Sequence, residues 1–329
     1  MKPQAIRVGQ LLFEQPVIVN AGGTLKDWID LPGFLKTGLE IIVFGAALEA
    51  RRTGNPGGIP ATLFVQSTRG VKLSYNRMGL PELYGIKWYS ENLAGRNRAV
   101  SDCGKVLAMN IAGFSVGEFT RLALVCHLAG VRIIFADISC ANTSQEPHCF
   151  YPETAAEIIR EVQAAAPDAT IGVKLPYIPT PSLLKELVGI CKESRVGIIE
   201  VINAMGQYHP VDEKGERRLG GPASGAGFLA KDPAQGMVAR VKALLGPNSP
   251  IQIMATGGIG CGPNLPGQDI LDYERLGATL FGIHTAARST EYPYSVMPQA
   301  FDDIRKDYLR LREEMMELAA LKEAEALLP

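Results

Sequence analysis

Eight short apolar runs, each about the length of one buried strand, recur along the chain with helical stretches between them. They are Val17–Asn20, Glu40–Phe44, Val106–Ile111, Arg132–Ile138, Thr170–Leu175, Val196–Ile202, Ile251–Ala255 and Ala278–Ile283. Helical patterns cover Asp30–Thr37, Val116–Leu128, Pro152–Ala166, Ser182–Ser194, Asp232–Leu245 and Asp269–Leu276, with Ser182 as N-cap of its helix. Strands that alternate with helices in this way pair in parallel, and eight of them close a (β/α)8 TIM barrel. A doubly wound open sheet fits less well, because no GxGxxG follows an early strand. The 329 residues suit one such barrel as a single domain. Two stretches rich in Gly and Pro, about 45–85 and 204–229, are too long for plain connections and are read as excursions over the mouth. Residues 5–13 supply one arm of a hairpin closing the bottom, and 298–327 a C-terminal helix, part of it the eighth of the barrel.

Charge and cysteine usage narrow the function. A net charge of −1 and the lack of a basic cluster argue against nucleic acid. No apolar run reaches membrane-spanning length, and Met1-Lys2-Pro3-Gln4 opens directly into polar sequence without a signal peptide. Six cysteines are scattered with no CxxC pair and no zinc spacing, so no metal is expected. Reduced thiols fit a cytoplasmic protein.

Active sites of parallel barrels lie at the C-terminal ends of the strands. Those ends carry Asn20 with Gly22-Gly23, Phe44, Asn110, Asp137 with Ser139, Cys140 and Asn142, Lys174, Asn203, Thr256-Gly257-Gly258 and Thr285. Amides, a lysine and a thiol at most of the ends form a ring around one ligand. The Gly-Gly pair after the seventh strand occupies the place where barrels bind phosphate through backbone N–H groups. Lys174 lies in Gly-Val-Lys-Leu-Pro among apolar neighbours, and a buried ammonium needs an anion or a charge-accepting ring beside it. Cys140, flanked by Ser139 and Asn142, is placed as a proton acceptor or nucleophile, with His148 and Cys149 as the alternative acid/base pair. Cys103, Cys126, Cys191 and Cys261 are read as structural, and His127 as a helix residue without a role.

Taken together, these segments resemble the class 1 (soluble, cysteine-type) dihydroorotate dehydrogenase family of FMN-binding α/β barrels. The resemblance runs through Val17–Gly23, Leu48-Glu49, Gly54-Asn55-Pro56 and Asn76-Arg77-Met78-Gly79-Leu80-Pro81. It continues through Asn110–Ser115, Ser139-Cys140-Ala141-Asn142, Gly172–Pro176, Asn203, Gly220-Gly221, Ala255–Ile259 and His284-Thr285-Ala286. It implies an FMN-dependent oxidoreductase acting on CH–CH bonds, oxidising dihydroorotate in pyrimidine biosynthesis, with an unidentified electron acceptor and a homodimeric assembly. Lys174 would stabilise negative charge on the flavin and Cys140 would be the base. Ala21, Gly22 and Gly23 would pack by the ring with Asn110 in hydrogen-bonding reach, Gly221, Gly257, Gly258 and Thr285 would hold the ribityl phosphate, and Asp137, Ile202, Thr256 and His284 would complete the cofactor site. The substrate would meet Asn76, Met78, Gly79, Leu80, Ser139, Asn142, Asn203 and Ala204.

The chain departs from this pattern at named places. Phe44 stands for a lysine, Gly45-Ala46-Ala47 for hydroxyl residues, Asp137 for an asparagine, Ala141 for a proline, Ala204 for a serine or threonine, and His284 for a glycine. Phe44, Asp137 and Ala204 are expected to face the site and to retune substrate choice. A different dihydropyrimidine-like or cyclic amide substrate therefore stands as an alternative, as do a non-redox phosphate-binding barrel enzyme and a flavoprotein that binds without turnover.

Overall fold

Apolar residues alternate between two faces in the barrel strands, and one face of each closes on the others. The computed structural model of the protein describes residues 5–55, 62–140, 143, 146–288 and 296–326. Strands β1 (Ala5–Val8) and β2 (Leu11–Glu14) form an antiparallel hairpin, and β3 (Val17–Asn20) begins the barrel. After the short helix α1 (Leu31–Leu35) come β4 (Ile41–Ala47), β5 (Thr62–Gln66), β6 (Lys72–Asn76) and α2 (Ile86–Ser101). Then follow β7 (Val106–Ile111), α3 (Val116–Leu128), β8 (Ile133–Asp137), α4 (Pro152–Ala165), β9 (Thr170–Leu175) and α5 (Pro181–Glu193). The chain continues through β10 (Ile198–Val201), β11 (Met205–Tyr208), β12 (Ala223–Gly227) and α6 (Lys231–Leu245). It ends with β13 (Gln252–Thr256), α7 (Pro266–Arg275), β14 (Leu280–Ile283) and α8 (Gln299–Ala326).

The barrel is closed in the order β3-β4-β7-β8-β9-β10-β13-β14, with parallel neighbours throughout. The expected TIM barrel is what the chain forms. Its apolar residues split by the period of two. Val17, Val19, Ile41, Val43, Ala108, Ile133, Phe135, Ile198, Met254 and Leu280 fill the inside, where the hairpin adds Ile6, Val8 and Phe13. Their alternates, among them Ile18, Ile42, Ile134, Val173, Ile199, Ile253 and Phe281, pack against the helices. Gly172 belongs to the inner face, where a Cβ would stand 2.5 Å from the Phe135 ring.

Three elements depart from the sequence reading. The two excursions form one antiparallel sheet, β11-β12-β6-β5, in which β12 pairs with β6. Helix α2 leaves little trace in the sequence, because its buried residues, Tyr89, Leu93 and Val100, make only a narrow apolar stripe. In α5 the cap position is Thr180, followed by Pro181 at the first helical position, so Ser182 lies inside the helix. Helix α8 buries Phe301, Ile304 and Tyr308 and runs on exposed from 313 to 322.

Candidate active site

Counting onward by twos from the inner apolar layer leads, toward the strands' C-terminal ends, to polar residues. Ala108 is followed by Asn110 in β7, Phe135 by Asp137 in β8, Ile198 by Glu200 in β10 and Met254 by Thr256 in β13, while Lys174 follows Gly172 in β9. The register sets Asp137 beside Lys174 and Lys174 beside Glu200 on adjacent strands. All of these line a cavity of about 440 Å³ at the barrel mouth, a volume that suits a small molecule.

The floor is a buried charge cluster. Lys174 Nζ lies 3.5 Å from Asp137 Oδ2 and 3.6 Å from Glu200 Oε1, and the three residues are 4%, 6% and 2% exposed. Burial acts to lower the Lys174 ammonium, but Asp137 and Glu200 more than offset it and hold the group above its ordinary value. Burial pushes the Glu200 carboxyl up to about 7; Lys174 opposes the rise and Asp137 adds to it. Asp137 is bound on every side. Its Oδ1 accepts from Ser139 N at 3.2 Å and Ser139 Oγ at 2.6 Å, and its Oδ2 accepts from Asn110 Nδ2 at 3.4 Å. Asn203 Nδ2 donates to Ser139 Oγ at 2.8 Å, which carries the network up to the mouth. The anion that a buried Lys174 ammonium needs is therefore supplied by the protein itself, as Asp137 and Glu200.

Above the floor, Cys140 is half-buried on the cavity wall, within electrostatic reach of Lys174 and Lys26. Lys26 reaches across from the loop after β3, its Nζ donating to Pro81 O at 3.2 Å. Arg288 Nη2 donates to Gly23 O at 2.8 Å and Thr24 O at 3.0 Å and so braces the same loop. Burial, with Arg288, Lys174 and Lys26 adding to it, pushes the His284 imidazole well below its ordinary value, and its Nδ1 lies 2.8 Å from Thr24 Oγ1. At the far end, Gly257 and Gly258 press onto the first turn of α6. A Cβ on Gly257 would stand 2.8 Å from the Ala234 Cβ, and one on Gly258 2.6 Å from the Lys231 Cβ. Tyr273 Oη donates to Gly257 O at 2.6 Å, and Asp269, paired with Lys231 at 2.5 Å, accepts from Gly260 N at 2.9 Å.

Of the residues expected at the site, Ala21, Gly22, Gly23, Asn110, Asp137, Lys174, Ile202, Thr256, Gly257, Gly258, His284 and Thr285 line this cavity. So do Cys140, Asn76, Met78, Gly79, Leu80, Ser139, Asn203 and Ala204. Gly221 does not: it lies against Arg77, where a Cβ would stand 3.3 Å from Nη2, and Ala226 and Gly227 of β12 form that part of the wall instead. Asn142 falls outside the described residues. Phe44 was expected to face the site, but it alternates outward from Val43 and stacks on Trp28 at 3.8 Å between ring centroids. Neither member of the alternative pair lines this cavity, and His148 lines a smaller pocket that shares Leu80, Asp137 and Cys140 with it. Cys149 is buried outside the cavity with its thiol pushed up to about 12 by burial, and His148 Nε2 lies 3.1 Å from Gly113 O. Lys26, Glu200 and Arg288 line the cavity without having been anticipated, and so does Cys261, which was read as structural. Glu200 carried the same signal as Lys174, a charge inside the apolar run Ile198-Ile199-Glu200-Val201.

The family model for dihydroorotate dehydrogenase matches residues 5–306. The chain belongs to the dihydroorotate dehydrogenase family. Membership implies an oxidoreductase acting on CH–CH bonds. Two solved structures of DHODH from Eimeria tenella share the fold. The complex with ferulenol superposes with a TM-score of 0.76 at 16% identity, covering 94% of this chain and 85% of that one. The ligand-free form gives 0.76 at 17%, covering 94% and 88%. No curated protein sequence matches the chain. Among the described residues of this dihydroorotate dehydrogenase family member, no helix is long and apolar enough to cross a membrane.

Proposed function

We propose that the protein is an FMN-dependent dihydroorotate dehydrogenase of the cysteine type, which oxidises dihydroorotate to orotate. The observation that carries this reading is that Cys140 and Lys174 share one cavity in a chain whose family model spans nearly all of the barrel. The residues present suit the cofactor. Asn110 Oδ1 is buried without a hydrogen-bond partner among the described residues, so a polar ligand group has an acceptor to meet. A Cβ on Gly22 would stand 2.8 Å from Asn110 Nδ2 and 3.2 Å from Lys174 Nζ, so glycine keeps the floor open to a flat ring. Lys174 and Asn110 would hold the polar edge of that ring. Gly227, Gly257, Gly258 and Thr285 would hold the ribityl phosphate beside the first turn of α6.

FMN, when bound, supplies the acceptor for the hydride that leaves C6 of the substrate. The chain's own part is to take the C5 proton on Cys140. The ammonium groups of Lys174 and Lys26 lie within electrostatic reach of that sulfur. Ser139 and Asn203 present a hydroxyl and an amide to the substrate ring, and their bonds to each other and to Asp137 keep them in place. Met78, Leu80 and Pro81 wall off water from the mouth.

Ala204 supports a second reading, a dihydropyrimidine-like or cyclic amide substrate other than dihydroorotate. It lines the cavity where the family has a hydroxyl residue, and so leaves one recognition bond unmade. Anaerobic mixing of the FMN-loaded protein with dihydroorotate and with a panel of other dihydropyrimidines tests both. Loss of flavin absorbance with dihydroorotate is expected. Bleaching only by another ring would leave the second reading, and no flavin retention at all would leave a non-redox barrel.

A further inference from the structure

The cations around the cavity are committed to very different degrees. Lys174 lies between Asp137 and Glu200, so two carboxylates of the protein already face its one positive charge. Arg288 spends its Nη2 on two backbone carbonyls. Lys26 differs from both. Its ammonium has three N–H donors, and its hydrogen bond among the described residues is the one to Pro81 O at 3.2 Å. No carboxylate of the described residues comes within ion-pairing distance of it. Glu82, the carboxylate that acts most strongly on it, has its own oxygens engaged by Leu48 N and Tyr84 N, both at 2.8 Å, and by Tyr89 Oη. The Lys26 side chain is desolvated at the cavity wall, which lowers its ammonium, and its field reaches both Cys140 and Asp137. A partly dehydrated cation with two uncommitted donors, on the wall that also carries the proposed base, is a built receptor for an anion.

We propose that Lys26 is a specificity-determining residue, whose ammonium binds the anionic group of the substrate on the Cys140 side of the mouth. The inference rests on the oxidoreductase reading above and narrows it to small acids in preference to their uncharged analogues. It also gives the loop after β3 a task, with Arg288 holding the backbone at Gly23 and Thr24 from which Lys26 extends.

The test compares the wild type with Lys26→Met and Lys26→Arg, all FMN-loaded and checked for equal flavin content and melting temperature. Calorimetric titrations use orotate, its uncharged analogue uracil, and the simple carboxylates fumarate and benzoate. Lys26→Met is expected to weaken orotate binding roughly ten- to a hundredfold while leaving uracil unchanged, and Lys26→Arg to recover part of the loss. Equal orotate affinity with and without Lys26, or equal losses for orotate and uracil, overturns the assignment even if dihydroorotate still reduces the flavin. Lys26-dependent binding of fumarate or benzoate without orotate binding keeps the assignment and removes dihydroorotate as substrate. A wild type that binds no carboxylate overturns both.

Discussion

An ammonium held between two carboxylates inside a barrel makes the mouth sensitive to pH through Glu200 rather than through Lys174. Burial raises the Glu200 carboxyl from 4.5 to about 7, so its contribution to stability is complete below about 4.5 and is lost as pH rises through about 7. Lys174, raised above its ordinary value of 10.5, stays charged across that window. Glu200→Gln should therefore flatten the fall in stability between pH 5 and pH 8, by roughly 3 kcal/mol at most, read as the wild-type minus variant difference in denaturant melts. Cys140→Ala should slow flavin reduction about 10²–10⁴-fold, and Cys140→Ser should retain some activity with its optimum at higher pH, because a hydroxyl is the weaker acid. A larger loss in Cys149→Ala would move the base to that residue. Asp137→Asn, which the sequence comparison alone would call restorative, should instead loosen Ser139 and leave Lys174 with Glu200 as its remaining carboxylate partner. Flavin retention in that variant, measured after gel filtration, is expected to fall. Phe44 and Glu200 teach the same lesson about reading residues singly. Both sit near strand ends, and only the count of two from Val43 and Ile198 tells that one faces out and the other in.

Glycines in the strand-to-helix turns do two separate jobs, and substitution should separate them. Gly22→Ala meets the ends of two side chains, Asn110 and Lys174, which can shift. It should keep the melting temperature within a few degrees yet lose flavin retention. Gly257→Ala meets the Ala234 Cβ at 2.8 Å and the Ala230 carbonyl at 3.1 Å, with φ at +131°. That change is expected to cost about 1–3 kcal/mol of stability in urea melts, since packed backbone has no room to yield. The excursions show the limit of local patterns. Their Gly- and Pro-rich stretches announce loops, but the pairing of β6 with β12 joins segments about 150 residues apart, and nothing in either segment names the other.

Helix α8 closes the barrel with its first turns and then leaves it. Ending the chain after Arg312 should leave the melting temperature close to that of the full chain, because 313–322 is exposed. Ending it before Phe301 strips Phe301, Ile304 and Tyr308 from the core and should prevent folding, as judged by circular dichroism. Strand and helix alternation, and with it the barrel, was legible in the sequence, because buried strands are apolar runs and their spacing reflects helices that must cross back. The ring of polar residues at the strand ends was legible for the same reason, since the C-terminal face of a parallel barrel is where such ends meet. Which end residues share a cavity depended on facing and on register. Those placed Asp137 and Glu200 on either side of Lys174, turned Phe44 outward and set Gly221 aside. Lys26 was invisible as a site residue for a further reason. It lies in a loop with no periodicity to assign it a direction, and only the packing of that loop against Pro81 carries its ammonium over the mouth.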